Sequence, residues 1–375
     1  MKKPTQSIIM PYHRNKEMLL YTTKLLDKFI PSDVEIIIVG NNNNASELDL
    51  ELPERFTYLK YNQSMLYSKT VNAGVEVAHG EIITLCDQDI FGFKDWYTPL
   101  LHKLLTSTSI GSVSSKLINP VNNRIIDFGI EYSKYRIVHP FRGLKYNHPL
   151  TMRDRPVTST TSATLMLRKD VYQKVGGMDL DMPYCCSDCD IGVKIGKLGL
   201  ENWVVADSIA YHRGSSSFKN GKSSSFSHLQ NDSTSMFWAK NYQVIKPTID
   251  RTIKESVDFV RLNHDFKPMY YFINLSSLGE YEWYASCLKE LTGIEYSDIH
   301  SYPQNMPHYS SPIQIYDEVP YSFMNVEIPI IYFVDYFPAL QNNQIWNCMR
   351  NIKDDLVLDC HGNLQYLKDI INGSC

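Results

Sequence analysis

Short unbroken apolar runs alternate with longer amphipathic stretches over the first 212 residues. Residues 7–10 form a brief apolar run ended by Pro11-Tyr12-His13-Arg14. Residues 15–29 place Met18, Leu19, Leu25, Leu26 and Phe29 on one face of a helix, and Pro31-Ser32-Asp33 stops it. Residues 35–39 are almost wholly apolar, as in a parallel strand covered on both faces. Strand, helix and strand at this spacing make a βαβ unit, whose strand-end loops form a ligand crevice.

The pattern continues with a weaker strand at 56–61 and a helix at 68–78, on which Asn72-Ala73-Gly74 allows close backbone approach. Further strands are expected at 82–85, 110–114, 160–168 and 203–206, with 209–212 leading into Arg213-Gly214, and helices at 95–105, 169–175 and 190–198. Residues 119–155, rich in Pro, Tyr and Arg, read either as a substrate-facing insertion or as a surface excursion. Residues 214–235 are rich in Ser, Gly and Asn, too polar to pack, and read as a mobile lid. Beyond Lys246-Pro247 a smaller α/β pattern resumes, with strands at 269–273, 328–334 and 356–358 and helices at 281–291, 344–349 and 364–371. The expected division is residues 1–240 and 241–375.

Composition narrows the function classes. The chain has 375 residues, enough for two cores, with 37 basic and 41 acidic residues and a net charge of −4. That balance argues against a nucleic-acid binder acting by phosphate neutralisation. The start lacks the apolar core of a signal peptide, and no window reaches the length of a membrane span, so a soluble protein of a reducing compartment is expected. Eight cysteines are scattered, with one cluster at Cys185, Cys186 and Cys189 that lacks zinc-finger spacing and reads as packing thiols.

The candidate chemistry begins at Asp87-Gln88-Asp89, where the apolar run 82–85 ends. Side chains two apart on an extended segment project the same way, so the two carboxylates repel unless a cation lies between them. Oxygen ligands at the carboxyl end of a parallel strand suit Mg²⁺ or Mn²⁺ carrying a diphosphate. An isolated Asp-x-Asp is more often a solvated turn, but here it stands in a fixed order with other motifs. They are Pro11-Tyr12-His13-Arg14, Gly176-Gly177-Met178-Asp179, Ser187-Asp188-Cys189-Asp190 and His212.

This order resembles the family-two glycosyltransferases of the GT-A fold over about residues 7–218. The resemblance implies an α/β, Rossmann-like mixed sheet flanked by helices and an inverting transfer from a nucleotide-sugar donor to a glycan or lipid-linked acceptor. It implies Asp89 as the direct metal ligand, with Asp87 reaching the ribose or a metal-bound water and His212 completing the metal site. Imidazole favours Mn²⁺ over Mg²⁺. Asp188 aligns with the base that takes the acceptor proton, and Asp190 competes for that role unless it is a helix N-cap. The family's usual Glu-Asp is Ser187-Asp188 here. For the nucleotide, Pro11, Tyr12 and Arg14 would frame base and phosphates, Asn41 and Asn42 replace the customary Asp, and Lys69 would approach the diphosphate. A cytoplasmic enzyme, in solution or at the inner face of a membrane, follows from that reading. The C-terminal region would be an accessory α/β domain, for acceptor docking, subunit contact or buttressing, with exposed Trp283, Tyr284, Tyr332 and Tyr336. The rivals are a sugar-nucleotide pyrophosphorylase, which would need a phosphate loop absent at residues 11–14, and an inactive transferase fold acting as a scaffold.

Overall fold

The computed structural model describes residues 5–13, 15–40, 52–61, 66–92, 94–134, 136–213, 224–263, 266, 269–274, 276, 280–293, 295–301, 329–335 and 354–372. It divides into two compact units, one of Met1–Glu131 with Thr151–Lys246 and one of Tyr132–Leu150 with Pro247–Cys375. Residues 132–150, part of the stretch read as an insertion or excursion, thus belong with the second unit.

In chain order the strands begin with β1 (Gln6–Tyr12), β2 (Glu35–Gly40), β3 (Phe56–Lys60), β4 (Ile82–Leu85), β5 (Ile90–Phe91) and β6 (Ile110–Ile118). Next come β7 (Ile125–Asp127), β8 (Glu131–Tyr132), β9 (Ile137–Val138), β10 (Arg155–Val157), β11 (Met166–Arg168) and β12 (Glu201–His212). The last are β13 (Met269–Asn274), β14 (Glu295–Ser301), β15 (Ile330–Val334), β16 (Leu356–Asp359) and β17 (Leu364–Tyr366). The helices are α1 (Lys16–Phe29), α2 (Tyr67–Val77), α3 (Tyr97–Leu105), α4 (Lys169–Lys174), α5 (Ser187–Lys197), α6 (Ser224–Asn241), α7 (Asp250–Asn263), α8 (Tyr281–Thr292) and α9 (Leu367–Ile371).

The first unit is built on a mixed sheet in the order β10-β12-β6-β11-β4-β1-β2-β3, with β5 joined to β12 and β7 to β6. Strands β1 to β4 run parallel, whereas β11 lies antiparallel between β4 and β6. The apolar runs divide by parity between two cores. Ile8, Met10, Ile36 and Ile38 pack under α1 and α3 with Leu19, Leu26, Trp96 and Leu100. Ile9, Ile37, Val39, Ile83 and Leu85 pack on the opposite face with Val71, Val75, Val171, Ile191 and Ile195 of α2, α4 and α5. Period-two alternation in continuously apolar strands therefore places helices on both faces. Gly74 lets α2 approach closely, since a Cβ there would stand 2.5 Å from Ile9 Cγ2.

Four expectations change. Residues 160–168 are not one strand: a 3₁₀ turn at Ser162–Thr164 precedes the short β11. Thr161 caps that turn, its hydroxyl accepting from Ala163 N–H. Helix α5 starts at Ser187, so Asp190 lies within its first turns and is not its N-cap, a position held by Cys186. Residues 203–212 belong to one strand with a register shift between Val205 and Ile209. Residues 224–235 of the expected lid lie in α6, while 214–223 fall outside the described residues. Helix α6 buries Ser233, Phe237 and Asn241, one face at four-residue spacing that carries two polar residues and so escapes a hydropathy pattern.

The second unit carries a sheet in the order β14-β13-β15-β16-β17, parallel except for β17. Its core joins Ile253, Val257 and Val260 of α7 with Tyr270, Tyr284, Leu288, Phe333, Leu358 and Val138. Tyr284 and Tyr332, expected to be exposed, are buried. The helix expected at 364–371 is β17 followed by α9. Helix α7 and β14 were not anticipated by the pattern, and Tyr336 and the helix expected at 344–349 fall outside the described residues.

Candidate active site and metal centre

Strand β4 ends at Leu85, and the Asp87-Gln88-Asp89 turn continues directly into β5. The turn is held on two sides, by Cys86 N–H donating to Ile9 O (2.9 Å) and Asp87 N–H donating to Ala163 O (3.1 Å). Gln88 points the other way: its Oε1 accepts from His13 N–H at 3.1 Å, and its carbonyl accepts from Thr22 Oγ1 at 2.7 Å. The middle residue therefore ties the turn to β1 and α1, leaving the two aspartates on one side.

The register shift in β12 carries its last residues past β6 onto β5, where Tyr211 pairs with Phe91 and His212 with Ile90. That pairing brings His212 Nε2 to 3.3 Å from Asp89 Oδ1 and 4.0 Å from Asp87 Oδ2. Among the described residues, Asp87, Asp89 and His212 are the one group of three or more His, Cys, Asp or Glu side chains whose ligand atoms converge, all within 4.8 Å. Asp89 is buried, and Asp87 and His212 are partly buried.

Electrostatics report the crowding. Burial, with Asp89 and Asp188 nearby, raises the Asp87 carboxyl to about 6, despite the opposing pull of His212 and the Tyr67 hydroxyl. Burial lowers the His212 imidazole, but Asp89 and Asp87 outweigh it and hold its pKa above the usual value. Two carboxylates and an imidazole, each carrying an unfavourable like charge or a proton, are a donor set that a divalent cation fits.

Asp188 sits in the first turn of α5 and is partly buried. Its Oδ2 accepts from Ser162 N–H at 3.0 Å, with Ser162 Oγ 3.4 Å away. Burial raises its pKa, against the pull of the Ser162 amide. Tyr67, the first residue of α2, places its hydroxyl 3.0 Å from Asp87 Oδ1 and 3.0 Å from Ser162 Oγ. Asp188 is thereby connected to the Asp87–Asp89–His212 group through two hydroxyls. Neither Tyr67 nor Ser162 was singled out from the sequence, because no periodicity marks a lone hydroxyl at a helix start or in a turn.

The Gly176-Gly177-Met178-Asp179 motif docks α2. Gly177 has φ 68°, and Asn72 Nδ2 donates to Met178 O (2.9 Å) while Met178 N–H donates to Asn72 Oδ1 (3.0 Å). Ser187 is buried, with its hydroxyl 2.8 Å from Ser68 Oγ and 2.7 Å from Met182 O. The residue that replaces a family glutamate thus ties α5 to α2. Asp190 is fully committed, with Lys194 Nζ at 2.6 Å and Asn241 Nδ2 at 2.9 Å.

The expected nucleotide residues are placed less completely. Pro11 and Tyr12 lie within β1 and not in the turn after it, and Tyr12 belongs to the hydrophobic core. Lys69 is exposed on α2. Arg14, Asn41 and Asn42 fall outside the described residues. Cys185 and Cys186 place their sulfurs 3.6 Å apart and form no disulfide with each other.

Residues 7–176 match the family model described as glycosyl transferase family 2. The matched stretch resembles that family and, apart from residues 132–150, lies in the first unit, whose mixed sheet is flanked by helices on both faces. Among curated relatives, the O-antigen biosynthesis protein RfbC of Myxococcus xanthus is 25% identical over 227 residues, covering 57% of this chain and 18% of that protein. The uncharacterized protein y4gI of Sinorhizobium fredii (strain NBRC 101917 / NGR234) is 26% identical over 229 residues, covering 57% and 25%. The chain therefore spans a quarter or less of the length of these two relatives. Two solved structures are distant likenesses. GalNAc-T7 with UDP, GalNAc and Mn²⁺ gives a TM-score of 0.46 at 14% identity, over 56% of this chain and 44% of that one. The mannosyltransferase PcManGT from Pyrobaculum calidifontis, in complex with GDP-Man and Mn²⁺, gives 0.44 at 12% identity, over 66% of each. No helix among the described residues is long and apolar enough to cross a membrane.

Proposed function

We propose that the chain is a metal-dependent inverting glycosyltransferase. It moves a sugar from a nucleotide donor, a UDP-sugar first among them, to a hydroxyl of a glycan or lipid-linked acceptor. The observation that carries this reading is the convergence of Asp87, Asp89 and His212 beside Asp188, in a chain whose residues 7–176 match glycosyl transferase family 2. Asp89, His212 and Asp87 would hold Mn²⁺ in preference to Mg²⁺, because one ligand is an imidazole. When bound, the cation supplies positive charge for the leaving diphosphate.

Asp188 takes the proton of the attacking hydroxyl. Its raised pKa suits that task, since a more basic carboxylate holds the proton better, and the Ser162 amide fixes its orientation. Inversion follows when the acceptor oxygen attacks opposite the departing diphosphate. RfbC is named for O-antigen biosynthesis, which supports a place in surface polysaccharide or glycoconjugate synthesis, inside the cell or at the inner face of its membrane.

Calorimetric titration with UDP, GDP and dTDP, each with and without Mn²⁺, followed by a transfer assay, tests the reading. One nucleotide is expected to bind only with Mn²⁺. Asp188→Asn should keep that affinity and lose roughly 10²–10⁴-fold in transfer. Failure of every nucleotide to bind with Mn²⁺, or full transfer by the Asn variant, overturns it.

A further inference from the structure

The Tyr67 and Ser162 hydroxyls stand between two carboxylates with different tasks, and a count of protons shows what they can do. Three oxygen contacts run in line: Asp87 Oδ1 to the Tyr67 hydroxyl at 3.0 Å, Tyr67 to Ser162 Oγ at 3.0 Å, and Ser162 Oγ to Asp188 Oδ2 at 3.4 Å. A phenol and a hydroxyl contribute one proton each, so two protons serve three contacts. Donating to both carboxylates at once leaves the Tyr67–Ser162 contact without a proton, so the chain favours one end at a time. The single Tyr67 proton has two acceptors at the same 3.0 Å, Asp87 Oδ1 and Ser162 Oγ, whereas the Ser162 proton meets Asp188 only at 3.4 Å, well beyond the length of a charge-assisted O–H···O bond, so the Asp87 end is the tighter one in this arrangement.

The supports of the two hydroxyls are fixed. Ser68, next to Tyr67, bonds Met182 O at 2.7 Å and lies 2.8 Å from Ser187 Oγ, next to Asp188. Asn72 ties the following turn of α2 to Met178. Ser162 opens the 3₁₀ turn whose Ala163 carbonyl receives the Asp87 N–H. Hydroxyl rotation therefore requires no movement of the elements that carry it.

We propose that Tyr67 and Ser162 form a reversible two-hydroxyl bridge that couples the cation-holding Asp87 to the orientation of Asp188. With a cation held by the Asp87–Asp89–His212 group, the Asp87 carboxylate would demand the Tyr67 proton less. Tyr67 would then donate to Ser162 and Ser162 to Asp188, strengthening a third donor to that carboxylate beside the Ser162 and Cys189 amides. Tyr67 and Ser162 are positioning residues on this account. It rests on the assignment of the metal site made above and extends it to two residues with no role there.

The test is a double-mutant cycle read by Mn²⁺ affinity, measured from free Mn²⁺ by electron paramagnetic resonance, without nucleotide or turnover. Ser162→Ala should weaken Mn²⁺ binding by about two- to tenfold, the span of one hydrogen bond, although Ser162 touches none of the three ligands. In a Tyr67→Phe background the same exchange should have no effect, because the path is cut. Ser162→Thr, which keeps a hydroxyl, should bind Mn²⁺ as the unaltered protein does. Equal effects of Ser162→Ala in both backgrounds, no effect in either, or a Thr variant as weak as Ala overturns the proposal. The Asp188→Asn transfer assay separates the two ideas: full transfer by that variant removes the base, while the Mn²⁺ cycle still reads the bridge.

Discussion

Asn241, the last residue of α6, donates to Asp190 of α5 at 2.9 Å, on the carboxylate that also meets Lys194 at 2.6 Å. Both partners of Asp190 lie on the helices it joins, and the residue is buried. Asp188, two positions earlier, faces Ser162 and, through it and Tyr67, the Asp87–Asp89–His212 group instead. The two carboxylates that compete in the sequence thus have separate structural tasks.

Asp190→Ala should therefore destabilise the fold, by less than the roughly 3–5 kcal/mol of a broken buried ion pair, because Lys194 is partly exposed and keeps Asp179 at 3.9 Å. Asp188→Asn should leave the melting temperature nearly unchanged. Thermal unfolding of the two variants checks this. A stable Asp190→Ala protein without transfer would return the base role to Asp190.

Asp89→Ala and His212→Ala should each abolish Mn²⁺-dependent nucleotide binding and leave the fold intact. Both side chains sit beyond the cores, at a strand-end turn and at the last residue of β12. Either should also remove the Mn²⁺-dependent gain in thermal stability. Wild-type calorimetry in one variant would exclude that residue as a ligand.

Much of this site is legible in the sequence because it lies at the ends of strands with unmistakable patterns. Ile36-Ile37-Ile38-Val39 and Ile82 to Leu85 announce buried parallel strands, and Asp87 and Asp89 follow at period two. What escapes is polar packing. Ser233, Phe237 and Asn241 align α6 through one phenylalanine and two polar residues, so a helix looks like a loop. In α7, Ile253, Val257 and Val260 do repeat at helical spacing, but they are spread among charged residues that dilute the apolar face. Tyr67 and Ser162 become visible only when three separate elements bring them between Asp87 and Asp188.

Metal binding should strengthen as pH rises from 5 to 7.5. The Asp87 carboxyl is raised to about 6 and His212 is raised as well, so the folded protein holds protons that the unfolded chain releases earlier. For a raised group, the stabilisation is present at low pH and is lost as pH passes through the folded pKa. Stability without metal should accordingly fall across this window on account of these groups. Mn²⁺ competes for the same atoms, so its affinity should drop about tenfold for each pH unit below 6 per proton displaced. The Mn²⁺-induced rise in melting temperature should be larger at pH 7.5 than at pH 5.5. An equal rise at both values would mean that no proton is displaced.

The division of the chain makes a last prediction, about which fragment is soluble. Every described member of the metal and Asp188 cluster lies in the first unit, so nucleotide and Mn²⁺ binding should survive without the second. A cut after Lys246 is the wrong construction, however, because residues 132–150 would remain without the unit they belong to. Val138 packs among Ile253, Tyr270 and Phe333, and Phe141 N–H donates to Asn363 Oδ1 at 3.0 Å. Exposing Val138 and Phe141 costs roughly 1.5–3 kcal/mol each in lost burial and leaves apolar surface that promotes aggregation. Residues 1–246 should therefore aggregate, whereas the same fragment with 132–150 replaced by a short Gly-Ser linker should be monodisperse on gel filtration and bind Mn²⁺. If the simple truncation is monodisperse and the linker form is not, residues 132–150 belong energetically to the first unit.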